Sequence, residues 1–396
     1  MNIILFDGEF RSQLLPLTYT RPVGNLRIGI LTINEKWEST LSAKVSFKTE
    51  DYLSVKFPLN VGLDNFMILG GLCPNGTIEN KIKNLEVGER IVLGTKIIAA
   101  RIKKEDVTDF FNDDFEFSNT IEYSDPVLII EHPWDLFAKN AEAMEIDFEL
   151  VTKGRESLPI SDSNTLIGTR VFLEEGAKVE GAILNSTTGP IYVGKHAEIM
   201  EGCLVRGGLS LGEHAGLKMG AKIYGATTIG PHSKAGGEVN NSIIYGFSNK
   251  GHDGFIGNTV IGEWCNLGAD TNTSNLKNNY AKVRLWDYDT GRFADTGLQF
   301  CGLIMGDHAK TGINTMFNTG TVVGVSANVF GSGFPRNFIP SFTWGGAAGM
   351  IEFRYAKSAE VAQAMMGRRG LSYDEVEEGI IKTVFDKTAI YRKNLK

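Results

Sequence analysis

The stretch VGKHAEIMEGCLVRGGLSLGEHAGLKMGAKIYGATTIGPHSKAGGEV, residues 193–239, repeats with a period of six residues. A period of six fits neither an amphipathic helix nor a half-buried strand, but it fits a solenoid in which each hexapeptide forms one side of a coil. The apolar residue fills the axis of the coil, and a small residue four positions later lets the chain turn the corner. Eight consecutive apolar positions keep this phase: Val193, Ile199, Val205, Leu211, Leu217, Ile223, Ile229 and Ala235.

The phase is interrupted twice before it resumes at Met305. The first interruption covers about residues 240–259 and contains GFSNKGHDG, and the second covers about residues 272–304 and contains KVRLWDYDTGRFADTG. The second sequence predicts a hairpin around Asp289-Thr290-Gly291. Because insertions on one face of a solenoid commonly carry binding groups, both interruptions are candidate functional segments.

Three domains follow from the change of pattern along the chain. Residues 1–150 read as a shortened α/β domain that opens on the apolar strand Ile3–Phe6 and ends in a linker helix. Residues 151–345 form the coils with two insertions, and residues 346–396 form a helical tail. The predicted fold class is therefore an α/β domain, a parallel β-helix of hexapeptide repeats and a C-terminal helical tail.

Composition excludes several classes of protein. The 396 residues are 42% hydrophobic and carry a formal net charge of −7, which argues against nucleic acid or an anionic membrane as a partner. The four cysteines form no CxxC pair, so neither a disulfide framework nor a zinc knuckle is indicated. No apolar run approaches about 18 residues, and the first residues do not resemble a signal peptide. A soluble, cytoplasmic protein is expected.

Two sets of histidines are candidates for chemistry. His252 lies among glycines in the first interruption, and an imidazole with a pKa of about 6.5 is suited to act as a general base. His196, His214 and His232 lie eighteen residues apart in Gly-x-His corners, and His308 repeats this corner later. Successive coils lie about 4.8 Å apart, so these histidines are predicted to form a ladder on one edge. No carboxylate or cysteine recurs with them, which favours a solvated corner over a metal site.

The hexapeptide coils resemble the left-handed β-helix of acyltransferases. More specifically, TTIGPHSKAGG and NKGHDGFIGNTVIGEWCNLGAD, within residues 227–277, resemble the C-terminal domain of bifunctional sugar-1-phosphate nucleotidyltransferase/acetyltransferases. The run RSQLLPLTYTRPVGNLRIGILTINEKWE and the junction HPWDLFAKN resemble the archaeal-type branch and its divergent bacterial relatives. The resemblance implies acetylation of glucosamine-1-phosphate by acetyl-CoA, then uridylyl transfer from UTP to give UDP-N-acetylglucosamine. It also implies a homotrimer.

Residue by residue, the resemblance assigns roles in the coils. His252 matches the catalytic histidine, and Ala269 matches a residue that lines the acetyl-CoA site. Phe255 stands where the family has a tyrosine that contacts the sugar, so one hydroxyl is missing. Lys218 stands in place of a phosphate-binding arginine and supplies charge without a bidentate fork. The substrate-binding candidates are Lys218, Phe255, Asn266, Lys250, Asn275 and Lys277.

The N-terminal domain departs further from the family pattern. Nucleotidyl transfer needs cations for the triphosphate, a close backbone approach and Mg²⁺. In FDGEFRSQLLPLTYTRPVGNLRIG the Gly-rich loop is reduced to Gly8, and Val23 replaces the expected lysine. Gly71 stands where the family has a metal-binding aspartate; Asp7 and Asp64 are possible ligands, but the metal ligands are not assigned. The nucleotide-binding candidates are Gly8, Arg11, Arg21, Arg27 and Lys36.

Three interpretations remain open from the sequence. The first is a bifunctional enzyme of amino-sugar nucleotide synthesis, with an exposed hairpin near residues 280–296 contributing to the trimer interface. The second keeps one activity, either a sugar-1-phosphate nucleotidyltransferase, for example for glucose-1-phosphate and dTTP, or an acetyltransferase with the other domain structural. The third is a regulatory or assembly subunit without enzymatic activity.

Overall fold

The first unit is built around a mixed six-stranded sheet. The computed structural model describes residues 1–393 and 395, and the first of its two compact units comprises residues 1–14, 21–26 and 31–131. Strand Asn2–Phe6 pairs in parallel with a neighbour on each side. A strand buried on both faces is expected to be continuously apolar, as residues 3–6 are. The strands follow in the order Val45–Lys48, Asn2–Phe6, Asp64–Leu69, Lys96–Lys103, Glu89–Leu93 and Asn119–Glu122.

Short helices and a second ribbon complete the first unit. Thr32 and Glu35 form a capping box that starts helix α1. Strand Leu72–Cys73 pairs antiparallel with Leu128–Ile129. The remaining elements are strand Leu31–Thr32, α1 (Ile33–Leu41), α2 (Ile78–Lys83), α3 (Val107–Phe111) and the 3₁₀ helices Glu9–Leu14, Val23–Asn25 and Lys104–Asp106. The predicted α/β character of the N-terminal region is confirmed.

The second unit, residues 15–20, 27–30 and 132–396, contains a parallel β-solenoid. Within a face, an interior strand pairs in register with the strand one coil before it and one coil after it, as Leu209–Leu211 does with Ile191–Val193 and Thr227–Ile229. The longest face has nine strands: Val171–Leu173, Ile191–Val193, Leu209–Leu211, Thr227–Ile229, Ile243–Ile244, Val260–Ile261, Leu303–Met305, Thr321–Val323 and Phe338–Ile339.

Two further faces close the coils. The first has six strands: Thr165–Ile167, Ile183–Asn185, Leu204–Arg206, Lys222–Tyr224, Glu238–Asn240 and Phe255–Gly257; Asn272–Thr273 pairs separately with Met316–Phe317. The third has five strands: Lys178–Val179, Glu198–Ile199, Gly216–Leu217, Lys234–Ala235 and Asn249–Lys250. A four-stranded sheet follows in the later coils: Lys310–Thr311, Asn328–Val329, Thr343–Gly346 and Gly349–Glu352.

The axis of the coils is filled as the six-residue period predicts. All eight apolar residues from Val193 to Ala235 belong to one buried cluster. At one corner of successive coils the backbone adopts the left-handed conformation, with φ between 54° and 61° at residues that are not glycine. The rings at that corner stack in one column, in the order His196, His214, His232, Phe247, Trp264 and His308. The predicted histidine ladder is therefore present, and no group of three His, Cys, Asp or Glu residues that could hold a metal occurs in the described part of the chain.

The first predicted insertion does not leave the coil. Ile229 pairs with Ile244, fifteen residues later, and Val239 pairs with Ile256, seventeen residues later. Because these coils are shorter than eighteen residues, the hexapeptide phase breaks while the strands continue. The prediction of an insertion at residues 240–259 was therefore wrong.

The second insertion forms the predicted hairpin, with strands Arg284–Asp287 and Arg292–Asp295. The hairpin is less exposed than expected. The Trp286 ring stacks on Phe338 with centroids 4.1 Å apart, and Tyr288 is buried. One side of the hairpin thus packs on its own chain.

Helices precede and follow the coils. Asp374 caps α7 by accepting from the backbone N–H groups of Val376 and Glu377, and Gly370, with φ of 71°, turns the chain before it. No described helix is long and apolar enough to cross a membrane. The helices of the second unit are α4 (Pro133–Ala138), α5 (Asn140–Thr152), α6 (Tyr355–Gly367), α7 (Glu375–Lys387) and α8 (Ala389–Arg392), and strand Arg27–Ile28 also belongs to it. The predicted helical tail is confirmed.

Candidate functional site

A cavity of about 720 Å³ opens on the second unit, and we call it the coil cavity. It brings together four residues singled out from the sequence, namely Lys218, His252, Asn266 and Ala269. Gly268 can take no side chain, because a Cβ there would lie 2.4 Å from the Gly312 oxygen. The full lining is Lys218, Lys234, Phe247, Asn249, Gly251, His252, Trp264, Asn266, Leu267, Gly268, Ala269, Lys310, Ile313, Met365, Arg368 and Arg369.

The charges in the coil cavity all have one sign. Three lysines and two arginines line it, and no carboxylate of the described residues does. Burial lowers the pKa of Lys310 to about 8, and burial is also the main reason that the pKa of Lys234 is lowered. Lys218 and Arg369 lower the pKa of Lys234 further by repulsion. Such a set of cations is the expected lining of a site for a phosphorylated ligand.

The first helix of the C-terminal tail, α6, contributes part of this lining. Met365 lies in α6, and Arg368 and Arg369 follow directly after it. The Arg369 guanidinium donates a long hydrogen bond of 3.4 Å to the His232 carbonyl oxygen. These arginines were not predicted from the sequence. The only local signal was the pair RR between a helix and Gly370, a pattern that is more often a helix end.

His252 lies on a tight loop at the edge of the coil cavity. The loop, residues 251–254, joins strand Asn249–Lys250 to strand Phe255–Gly257, and we call it the His252 loop. The imidazole is exposed and makes no hydrogen bond to any described residue. It is therefore available to accept a proton from a ligand in the cavity.

Lys250 does not line the cavity, although it directly precedes the His252 loop. Its side chain points into the coil and is 2% exposed. The ammonium donates to the carbonyl oxygens of Gly236 at 3.1 Å, Asp253 at 2.9 Å and His252. These bonds occupy all three N–H donors of the side chain.

Three further candidates lie outside the lining of the coil cavity. Phe255 is half-buried in strand Phe255–Gly257, where its backbone N–H donates to Asn272. The Asn275 amide donates to the Asn258 side-chain oxygen at 2.8 Å. The Lys277 ammonium donates to the carbonyl oxygen of Lys282 at 3.1 Å. The structure thus does not bring these residues together with His252 in one cavity.

The first unit has a cleft of its own, of about 1000 Å³, which we call the N-terminal cleft. Gly8 and Arg11 line it, as do Lys48, Lys96 and four phenylalanines. Its lining also contains five carboxylates, at Asp7, Glu9, Glu50, Asp51 and Asp113. Carboxylates therefore outnumber the lysines and arginines there.

Most cations of the N-terminal cleft have an acidic partner. The Arg11 Nε lies 3.0 Å from an Asp7 carboxylate oxygen, and another of its nitrogens lies 3.7 Å from Glu50. Lys96 pairs with Glu131. Burial raises the pKa of Asp7 despite hydrogen bonds from Thr49 and the Val23 N–H.

The other nucleotide-binding candidates lie elsewhere. Arg21 and Lys36 are buried, and neither lines the N-terminal cleft. Arg27 belongs to the second unit, where its guanidinium donates to the Ile30 oxygen at 2.7 Å. Of the five candidates, the cleft therefore collects Gly8 and Arg11.

The positions that the sequence offers as metal ligands, Asp7, Asp64 and Gly71, do not fit a resident Mg²⁺ ion. Mg²⁺ is usually held by one or two carboxylates together with substrate phosphates. Both oxygens of Asp7 already accept hydrogen bonds, and Asp64 pairs with Arg101 at 2.6 Å. At Gly71 a Cβ would lie 2.3 Å from the Ile130 oxygen. This backbone excludes the carboxylate that the family pattern places there.

Comparison with known proteins finds a family model and curated relatives that each match part of the chain. Residues 3–156 match the model of a family described as sugar nucleotidyl transferase. The chain is 37% identical over 87 residues to the bifunctional protein GlmU of Methanocaldococcus jannaschii, covering 22% of this chain and 21% of that protein. It is 31% identical over 93 residues to the bifunctional sugar-1-phosphate nucleotidylyltransferase/acetyltransferase of Sulfurisphaera tokodaii, covering 24% and 23%. The chain thus spans about a fifth of the length of the curated relatives that it matches.

The resemblance stated from the sequence is confirmed, and both the family model and the relatives are transferases by name. The solved structure of Francisella novicida UDP-N-acetylglucosamine acyltransferase is 14% identical to this chain and covers 60% of it and 79% of that chain, with a TM-score of 0.26. The solenoid fold itself is established by the strand pairing described above.

Proposed function

We propose that the coil cavity transfers an acetyl group from acetyl-CoA to the amine of glucosamine-1-phosphate. In the same proposal the first unit transfers a uridylyl group from UTP, so that the product is UDP-N-acetylglucosamine. The observation that carries the acetyl transfer is a histidine without a hydrogen-bond partner among the described residues, at the edge of a cavity lined by five cations and no described carboxylate. Both substrates of that step are anionic, which matches this lining.

The acetyl transfer divides its chemistry between few groups. The amine nitrogen attacks the thioester carbonyl carbon, the C–N bond forms, the C–S bond breaks and the thiolate of CoA leaves. His252 takes the proton that the amine loses. Lys218, Lys234 and Lys310 supply positive charge toward the phosphates and toward the oxyanion that develops on the carbonyl oxygen.

The cavity also offers an apolar side for the donor. Ile313 and Met365 are uncharged side chains in its lining. Arg368 and Arg369 follow Met365 along the chain and also line the cavity. An acyl-CoA combines an apolar arm with several phosphate groups. This pairing of thioether, aliphatic and guanidinium groups supports acetyl-CoA as the donor, with α6 as part of its site.

For nucleotidyl transfer the support is the family match at residues 3–156 and the position of Gly8 and Arg11 in the N-terminal cleft. Arg11, Lys48 and Lys96 are the cations that line this cleft, and a triphosphate would compete with carboxylates for Arg11 and Lys96. Mg²⁺ would arrive with the nucleotide in this proposal, because Asp7, Asp64 and Gly71 do not fit a resident ion. The homotrimer implied by the resemblance and the cytoplasmic location expected from the sequence remain part of the proposal, and light scattering of the purified protein measures the former.

The acetyl transfer is tested by mixing purified protein with glucosamine-1-phosphate and acetyl-CoA and following free thiol. His252→Asn should lower the rate by about 10²–10⁴-fold, the usual contribution of general acid–base catalysis. His196→Asn is the matched control, since it makes the same change at a ring of the column that does not line the cavity. Asparagine tolerates the left-handed backbone at that position. Full thiol release by His252→Asn would contradict the proposed base.

A second candidate keeps acetyl transfer alone. It is favoured by the ion pairs of Arg11 and Lys96 and by the exclusion of a side chain at Gly71. Adding UTP and Mg²⁺ to the acetylated product and measuring pyrophosphate separates the two candidates. Pyrophosphate release supports the bifunctional enzyme, and thiol without pyrophosphate supports the acetyltransferase.

A further inference from the structure

Lys250 stands at a position that the coil reserves for apolar residues. On the third face it pairs with Ala235 of the preceding coil, and Ala235 in turn pairs with Leu217. Ala235 and Leu217 are both fully buried in the axial cluster. A lysine in such a column has to be desolvated, which is unfavourable unless its charge is well bonded.

The charge of Lys250 is bonded to backbone oxygens instead of to a carboxylate. Two of its three acceptors, the oxygens of His252 and Asp253, belong to the His252 loop, and the third belongs to Gly236 in the coil before it. One ammonium therefore ties the His252 loop to the neighbouring coil. Burial lowers the pKa of Lys250 to about 8, while the nearby carboxylates of Asp253 and Asp270 act in the opposite direction.

The same loop is also confined from the side of the neighbouring coil. A Cβ at Gly236 would lie 2.6 Å from the Gly251 oxygen, and a Cβ at Gly237 would lie 2.8 Å from the Asp253 Cα. A Cβ at Gly254 would lie 2.3 Å from the Thr271 oxygen. The loop is thus packed backbone against backbone, and Lys250 supplies the side-chain bonds that hold it.

We propose that Lys250 is a positioning residue, which fixes the His252 loop through three carbonyl bonds and so places the imidazole at the coil cavity. The proposal rests on the proposed acetyl transfer for its functional part. Its structural part, the tethering of residues 251–254, stands independently of any reaction. In this proposal Lys250 stands in an apolar column because its ammonium places the base, and its packing in the column is not the reason for a lysine there.

The test is Lys250→Met, which keeps the length of the side chain and removes the donors. Hydrogen–deuterium exchange of peptides that contain residues 251–254 should become faster, while exchange in strands Leu209–Leu211 and Thr227–Ile229 stays unchanged. Thiol release should lose about tenfold to a hundredfold in kcat with little change in KM, because the substrates still meet the same cations. Thermal unfolding should change little, because the removal of a buried charge stabilises the fold while the loss of three hydrogen bonds to carbonyl oxygens destabilises it. Lys222→Met, at an exposed strand position outside the cavity, is the matched control.

Each outcome separates the two proposals. Faster exchange at residues 251–254 without any acetyl transfer in the wild-type protein would uphold the tether and overturn the proposed function. Unchanged exchange and unchanged kcat would overturn the role of Lys250. If Lys250→Met does not fold, the wild-type protein gives the answer: corrected for intrinsic exchange rates, protection of residues 251–254 should fall above about pH 8, and constant protection would contradict the tether.

Discussion

The N-terminal cleft and the coil cavity are both lined by lysine and arginine side chains, but among the described residues only the cleft is also lined by carboxylates. Arg11 lies against Asp7, and Lys96 lies against Glu131. In the coil cavity, Lys310 and Arg369 donate to backbone oxygens, and no ion pair joins them to any described carboxylate. The cleft therefore neutralises much of its own charge, whereas the cavity leaves its charge for a ligand. This difference is why we place the better supported activity in the solenoid.

A charge reversal in the cavity gives the largest expected effect on this comparison. Lys234→Glu would introduce the carboxylate that the cavity lacks, and we expect KM for the anionic substrates of acetyl transfer to rise about a hundredfold. Steady-state thiol release measures it. Lys222→Glu makes the same change outside the cavity and should leave KM within about twofold. Equal effects of both variants would show that net charge, and not the cavity, controls binding.

Restoring the family carboxylate in the first unit tests the other side of the comparison. Gly71→Asp should lower the free energy of unfolding by about 1–3 kcal/mol, because the new Cβ meets the Ile130 oxygen. It should not create a response to Mg²⁺. Gly379→Asp, where a Cβ meets no atom within 4 Å, is the control. Chemical denaturation with and without Mg²⁺ measures both, and stabilisation of Gly71→Asp by Mg²⁺ would contradict our description of the cleft.

The pH dependence sharpens the comparison, because activity and stability should move in opposite directions. The pKa values of Lys250 and Lys310 are lowered to about 8 by burial, so acetyl transfer should decline above about pH 8 as both lose their charge. An unfolded lysine keeps its proton up to a pKa of about 10.4, so between these values the unfolded state binds more protons and the free energy of unfolding rises with pH. A pH series of thiol release and of urea denaturation checks both slopes. Parallel slopes would exclude these lysines as the cause.

Ionic strength should have the smallest effect. Raising salt from about 50 to about 200 mM shortens the range of charge interactions, and we expect KM for acetyl-CoA to rise a few-fold. Nucleotide binding to the first unit, where the cations are paired, should weaken less. Fluorescence titration with a labelled nucleotide provides the second measurement, and a steeper salt dependence there would reverse the comparison.

Much of the solenoid could be predicted from the sequence because its packing is local and periodic. The residues from Val193 to Ala235 repeat one environment, so eight consistent positions leave little choice of fold. Shortened coils are less visible. The coil that holds Lys250 keeps its strands although it is shorter than eighteen residues. In the sequence, such a shortened coil is visible only as an interruption of the six-residue period.

The candidate site was predicted only in part. His252 and Lys218 were found because they lie within the recognisable stretch of coils, and the structure brings them to one cavity. Arg368 and Arg369 were not found, since they lie more than a hundred residues away along the chain and reach the cavity only through the path of α6. Asn275 and Lys277 were predicted as further polar residues of the substrate site, whereas their side chains bond elsewhere.

By itself, the sequence determined the repeat, the axial core and the histidine column, because each depends on residues that recur at a fixed spacing. Only the tertiary structure decided which charges are partnered, since a carboxylate such as Glu131 neutralises Lys96 across 35 positions of the chain. It also decided that Lys250 points into the coil, because the register of its strand pairs it with Ala235, a residue of the axial core in the preceding coil. Spacing fixes what repeats, whereas the balance of charge in a cavity depends on contacts between distant segments.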